Sequence, residues 1–372
     1  MAGSIPSTIF KWKYRLFLKP FFFVQDPEKV HDRMIYFGSI LGNLGLSRWL
    51  LSATFNYKNE ILNQRLLDID FINPIGLAAG FDKNAELGNV LPSVGFGFTE
   101  VGSITGEKCL GNTKPRLWRL KKSKSLVVHY GLKNDGCEVI AKRLQNQSAI
   151  IPRGVSVAMT NCKENIDPTN AIADYVKAFS VMEPVASYIT VNISCPNTLG
   201  GQPFVEPGNL EKLLIEIDKI NTKKPIFIKF SPDINFEEID VLLDIIKQYR
   251  VQGIICTNLT KNRKNDKILD KHVPSAGGLS GKPVQDLADN LLAHIYKREG
   301  KRFVLVGCGG VFSAEDAYKK IRLGASLVQL ITGMIYEGPQ LIGDINRGLA
   351  QLLKRDGFKN ISEAVGIDNL TI

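Results

Sequence analysis

Histidine is scarce in this chain, four in 372 residues, and its six cysteines, at positions 109, 137, 162, 195, 256 and 308, form no C-x-x-C pair and have no histidine at zinc spacing. A metal site and a disulfide framework are therefore not expected, and the setting reads as reducing and cytoplasmic. No secretory pattern opens the sequence. The apolar run YRLFLKPFFFV, Tyr14 to Val24, is too short to span a bilayer and is broken by Lys19 and Pro20. Repeats with a period of about 20–50 residues are missing, as are low-complexity tracts. Charge of one sign is not segregated either. Lysine and arginine number 47 against 37 acidic residues, interleaved along the chain and without a nucleic-acid-binding motif, so nucleic acid is set aside as a partner. The formal excess of +10 suits an anionic ligand, a phosphate-bearing cofactor or an acidic membrane face, or simply solvates the surface.

What the chain has in quantity is short, β-rich apolar segments. Eight can be counted: NPIGLAA (73–79), GFTEVGSI (97–104), GVSVAMT (154–160), YITVNIS (188–194), PIFIKFS (225–231), GIICTN (253–258), FVLVGCG (303–309) and LVQLIT (327–332). They are continuous rather than alternating, as parallel strands covered on both faces should be. Amphipathic stretches lie between them at 169–182, 209–220, 235–249, 284–298 and 314–322, and a last one, 340–354, follows the eighth. Eight such units predict an α/β protein, a (β/α)8 TIM barrel, with a doubly wound open sheet as the weaker alternative. The connection from 105 to 153 is longer than a crossover needs and is expected to carry a hairpin, RLWRL and SLVVHYG, over the barrel mouth.

Residues 1–60 separate from this pattern as a helical extension, leaving 61–372 as the barrel. Within the extension 27–41 and 46–55 pattern as two short helices, preceded by a basic and aromatic segment, Lys11, Trp12, Lys13, Tyr14, Arg15, Phe17 and Lys19. Cations mixed with interfacial aromatics suit a membrane surface, and packing on the barrel's flank is the plain alternative.

Barrels of this kind work at the carboxyl ends of their strands, so the residue types found there are a test. Gly309 and Gly310 after the seventh strand, with Thr332 and Gly333 after the eighth, stand where such barrels commonly hold a phosphate, and GGLSGKP adds Ser280 and Gly281. Lys83 and Lys229 end the first and fifth strands in apolar surroundings. Either they stabilise negative charge on a cofactor's ring or they pair with Asp82 and Asp233. Asn192, Asn197 and Asn258 offer uncharged donors and acceptors suited to a planar, amide-rich substrate. Cys195, in VNISCPNT, admits five roles: packing, a disulfide, a metal ligand, a nucleophile or a proton acceptor. Its place beside Pro196 and Asn197 at a strand end favours function, whereas Cys256 and Cys308 read as packing.

Seven motifs in order, NPIGLAAGFDKN, GSITGE, VNISCPNT, KFSPD, GGLSGKP, GCGGV and GASLVQLITG, closely resemble those of dihydroorotate dehydrogenases over nearly the whole chain. The N-terminal segment, with DPEKVH and His31, resembles the membrane-docking extension of the quinone-dependent class 2 enzymes. The resemblance implies an FMN barrel that oxidises (S)-dihydroorotate to orotate in pyrimidine (UMP) biosynthesis. Electrons would pass to a membrane quinone, with the protein held peripherally at the cytoplasmic face of the cell membrane. It implies FMN contacts at Ala79, Gly80, Lys83, Ser103, Asn192, Lys229, Thr257, Gly281, Gly310 and Thr332. Substrate contacts would be Lys83, Asn192, Asn197, Thr198 and Asn258, and His31 and Arg119 would lie along the quinone tunnel. Cys195 becomes the base that removes the C5 proton while the flavin takes the C6 hydride.

This sequence departs from the family at several of those positions. Val128 stands where the family has a substrate-contacting asparagine, with Asn134 the candidate replacement. Ser156 stands where strand three usually offers asparagine to FMN, Leu259 replaces a threonine, and Ile331 replaces a common tyrosine near the flavin phosphate. Class 2 enzymes have serine at the position of Cys195, and cysteine is usual in the soluble class 1 enzymes. Hence the alternatives are a soluble acceptor such as fumarate, or another dihydropyrimidine or enoate substrate; Lys83, Cys195 and Lys229 argue against a non-catalytic scaffold. A free thiol with a pKa of about 8.5 leaves some thiolate near neutrality, and Lys83 and local amides are expected to raise that fraction. Deletion of residues 1–60 is expected to impair only the quinone reaction.

Overall fold

The computed structural model describes residues 5–369. Helix α1 (Ile5–Lys13) continues through a π-helical turn, Tyr14–Leu18, into α2 (Lys19–Phe23), followed by α3 (Pro27–Asn43) and α4 (Gly45–Phe55). The basic and aromatic segment is thus itself helical. Pro20 is tolerated because it directly follows the π-helical turn, where the regular hydrogen-bond ladder is already interrupted. Asp26 starts α3, its carboxylate accepting the Lys29 amide at 2.8 Å, with Pro27 at the first helical position.

Two short strands, β1 (Gln64–Leu66) and β2 (Ile69–Phe71), form an antiparallel hairpin ahead of the barrel. Then come β3 (Ile75–Leu77), β4 (Phe98–Ile104), β5 (Leu117–Leu120), β6 (Ser125–Val128), β7 (Arg153–Val157), β8 (Tyr188–Asn192) and β9 (Ile226–Phe230). The series ends with β10 (Gly253–Cys256), β11 (Gly278–Leu279), β12 (Val304–Cys308) and β13 (Leu327–Leu330). Eight of these, β3-β4-β7-β8-β9-β10-β12-β13, close a parallel barrel in chain order, with β13 pairing back to β3. Each of the eight apolar runs contains one barrel strand. The expected hairpin is β5 and β6, and β11 joins it as a third strand, Gly278 opposite Val128.

Period-two alternation sorts each barrel strand. In β9, Ile226, Ile228 and Phe230 join the large core under the crossover helices, whereas Phe227 packs inside with Phe98, Tyr188 and Leu327. Phe71 of the β1–β2 hairpin belongs to that inner cluster and plugs the barrel floor. Above it, buried Glu100 accepts hydrogen bonds from Thr190 (2.9 Å), Gln329 (3.2 Å) and the Tyr188 hydroxyl (3.4 Å). Lys229, two residues beyond Phe227, therefore rises from an apolar floor and a polar middle to the mouth.

The extension is fastened by polar contacts. Glu28 of α3 pairs with Arg116 of the segment entering β5 at 2.8 Å, both side chains at least 94% buried. Tyr14 donates to the Ile335 carbonyl at 2.7 Å, and Arg15 and Lys124 both pair with Glu337. Its outer face stays apolar: Trp12, Phe17, Phe21, Val24, Leu46 and Trp49 are 61–80% exposed. Among the described residues no helix is long and apolar enough to cross a membrane.

Candidate functional site

A cavity of about 480 Å³ runs from the gap between α3 and α4 to the barrel mouth. Its outer end is apolar, with Phe22, Met34, Phe37 and Leu51, and its inner end carries the polar strand-end residues. Of the residues expected to act, every one but Thr198 lines it. Thr198 donates instead to the Gly201 carbonyl at 2.5 Å and lines a separate small cavity behind Cys195. That places it outside the main site, where the resemblance had put a substrate contact.

Lys229 is buried and Lys83 half-buried in the wall of this cavity, and among the described residues neither forms an ion pair. The salt-bridge alternative fails because both acids are engaged elsewhere. Asp82 accepts the Glu86 and Leu87 amides at 2.8 and 2.9 Å, and Asp233 bonds Thr260 and the Lys261 amide. Lys83 instead lies over the Tyr130 ring, 4.0 Å from its centre. Burial, then the neighbouring Lys133, lowers the Lys83 amine to about 8. Two amines on the cavity wall without ion-pair partners among the described residues suit the mouth to anions.

The phosphate corner has the geometry its glycines suggested. Gly281 and Gly310 have φ of +73° and +74°, and a Cβ would run into the Lys124 carbonyl at the first and Gln285 at the second. Thr332 donates to the Ser280 hydroxyl at 2.8 Å beside them. Ser156 does not reach the cavity; its hydroxyl meets that of Ser103 at 2.7 Å, so it supports a lining residue from behind. Asn192 then donates to Ser103 at 2.8 Å and accepts from Asn258 at 3.2 Å, forming a continuous chain of polar side chains. A phosphate cradle, unpaired cations and fixed amides together fit FMN.

Asn134 does not stand in for the polar group that Val128 lacks. Its amide is buried, donating to Thr105 and the Leu132 carbonyl at 2.8 Å each and accepting the Gly136 amide. Val128 and Leu259 instead form an apolar wall with Pro196, and Ile331 lines the cavity near Gly80. The loop bearing Cys195 is held by two asparagines that sequence reasoning does not single out. Asn112 donates to the Asn197 carbonyl at 3.0 Å, and Asn161 accepts the Leu199 amide at 2.7 Å. Each stands alone in a loop, with no periodic signal to mark it.

Cys195 faces the main cavity with the small one at its back. Burial pushes its thiol up to about 11, partly offset by the Asn197 amide. This corrects the expectation of an enriched thiolate: desolvation outweighs the distant lysines. At the tunnel wall, His31 Nε2 donates to the Phe81 carbonyl at 2.8 Å, while Nδ1 lies 3.4 Å from Asp32. Arg119 donates to the Gln25 carbonyl at 2.8 Å and stacks over Phe23.

Fold and site define a (β/α)8-barrel protein with a cationic, amide-lined mouth at the inner end of an apolar tunnel. The chain belongs to the dihydroorotate dehydrogenase family, whose sequence profile matches residues 61–353. A protein of Synechocystis sp. named dihydroorotate dehydrogenase (quinone) is 37% identical, over 93% of this chain and 94% of its own. One of the same name from Haloarcula marismortui is 40% identical over 86% of this chain and 89% of its own. The crystal structure of ligand-free DHODH from Eimeria tenella superposes with a TM-score of 0.83 at 29% identity, covering 92% of this chain and 99% of that one.

Proposed function

We propose that this chain oxidises (S)-dihydroorotate to orotate, with FMN at the barrel mouth and a membrane quinone as acceptor. The observation that carries this reading is a pair of cavity-lining lysines, Lys229 buried and Lys83 half-buried, that form no ion pair among the described residues, at the inner end of an apolar tunnel. FMN, when bound, would accept the hydride from C6 of the substrate and release the electrons to the quinone. Gly281, Gly310 and Thr332 would hold its phosphate, and Ala79, Gly80, Ser103, Thr257 and Lys229 its ring and chain. Lys83 neutralises the substrate carboxylate and the charge gained on reduction. Asn192 and Asn258, fixed by the hydrogen bonds described, and Asn197, whose side-chain amide donates to the Val128 carbonyl at 2.9 Å, orient the ring amides at little entropic cost. Cys195 takes the C5 proton as general base. His31 and Arg119 line the route of the quinone, and the exposed aromatic face of α1 to α4 rests on the cytoplasmic face of the membrane as a peripheral attachment.

Both relatives carry the quinone name, which favours a quinone over a soluble acceptor. Turnover with a short-chain ubiquinone or menaquinone should therefore be fast and turnover with fumarate undetectable. Fumarate turnover matching that with both quinones would overturn the assignment of acceptor.

The two perturbed groups set the pH profile. Lys83 acts protonated and Cys195 acts deprotonated, with the amine at about 8 and the thiol at about 11. The required combination is the less populated one, so kcat/KM should rise about tenfold per pH unit below the lower value and then level. A profile falling from pH 6 to 8 would contradict these roles.

A further inference from the structure

Helix α3 reaches past the tunnel to the other half of the reaction. Its His31 donates to the carbonyl of Phe81, two residues before Lys83 on the loop after β3. Its Glu28 anchors Arg116, whose guanidinium lies 5.2 Å from the Tyr130 ring centre, on the ring that also carries Lys83. Tyr130 is buried, and among the described residues its hydroxyl has no hydrogen-bond partner, so its ring is held by these cations and by packing. The charges facing Lys83 are Asp32 and Glu28 from α3, Asp82 from its own loop and Lys133 from the loop after β6; His31 and Arg116 flank the group. Two of the three acids supporting its positive charge therefore come from the extension.

We propose that His31 and Asp32 are positioning residues for dihydroorotate, holding Lys83 in place and in its charged form, a role His31 has in addition to its place on the tunnel wall. This rests on the function proposed above. It also revises the expectation that removing residues 1–60 affects the quinone step alone, since the contacts at Phe81 and Arg116 would go with them.

The test separates the half-reactions. In FMN-loaded protein without quinone, His31→Leu should weaken orotate binding, followed by calorimetry, on the order of tenfold, the effect of removing one hydrogen bond. His31→Gln should recover most of it, because a glutamine amide nitrogen can stand where Nε2 stood and donate to the same carbonyl. Asp32 is half exposed, so Asp32→Asn should fold normally. In FMN-free protein it should move the pH at which Lys83 becomes acetylated by acetic anhydride, mapped by mass spectrometry, to lower values. If orotate affinity and Lys83 labelling stay at wild-type values in both variants while only reoxidation by quinone slows, α3 serves the tunnel alone and the proposal fails. Wild-type protein that binds no orotate would instead overturn the function on which it rests.

Discussion

Cys195→Ala should slow anaerobic flavin reduction by dihydroorotate by about 10²–10⁴-fold, the usual contribution of a positioned general base, and leave FMN bound. The substitution removes one sulfur from a partly open wall between two cavities and breaks only the contact it makes with the Asn197 backbone amide, so fold and cofactor affinity should hold. The pH dependence carries the sharper information. Burial leaves the thiol mostly protonated at neutrality, so the wild-type rate should climb with pH up to about 8, where loss of the Lys83 proton levels it. The alanine variant has no such group and its residual rate should be flat over the same range. Stopped-flow absorbance at the flavin band checks both statements. Near-wild-type reduction in the variant would remove Cys195 from the chemistry and return it to packing.

Glu28→Leu should lower folding stability by about 3–5 kcal/mol, because it strands the Arg116 charge in the interior. The pair is closed by three contacts at 2.8, 3.1 and 3.2 Å. Burial pushes the Glu28 carboxyl up, but Arg116, Lys114 and Lys133 more than offset it and keep it ionised at neutral pH. Arg116 would retain only the Leu110 and Asn112 carbonyls, which accept its hydrogens at 2.9 Å but do not neutralise it. In a chain of this length that destabilisation corresponds to a fall in Tm of roughly 4–6 °C by calorimetry. The double variant Glu28→Leu with Arg116→Met should recover much of the stability, since no unpaired charge remains. Equal destabilisation in single and double variants would show that packing, not charge, dominates at this joint.

These two sites mark the limits of what the sequence discloses. The barrel strands were legible because burial on both faces forces continuous apolar runs, and strand ends locate the mouth. Cys195, Lys83 and Lys229 could be picked out because each interrupts such a pattern. The β1–β2 hairpin was not legible: its turn residues, Leu67 and Asp68, adopt φ of +51° and +61° without the glycine or asparagine that usually signals such a turn. The helical character of residues 5–23 was hidden by Pro20, which the π-helical turn before it accommodates. Thr198 and Asn134 carried the right residue types in the right loops, yet their side chains are committed to local backbone and to Thr105. The cluster of Glu28, His31, Lys83, Arg116 and Tyr130 draws on segments up to 102 residues apart, and spacing along the chain cannot reveal it.

The central claim is that the unpaired lysines, the amide chain and Cys195 form one site for dihydroorotate beside FMN. Anaerobic titration of the FMN-loaded protein with dihydroorotate tests it most directly. One equivalent should bleach the flavin band and yield one equivalent of orotate, and added quinone should restore the colour; an unchanged flavin band at saturating dihydroorotate would contradict the claim.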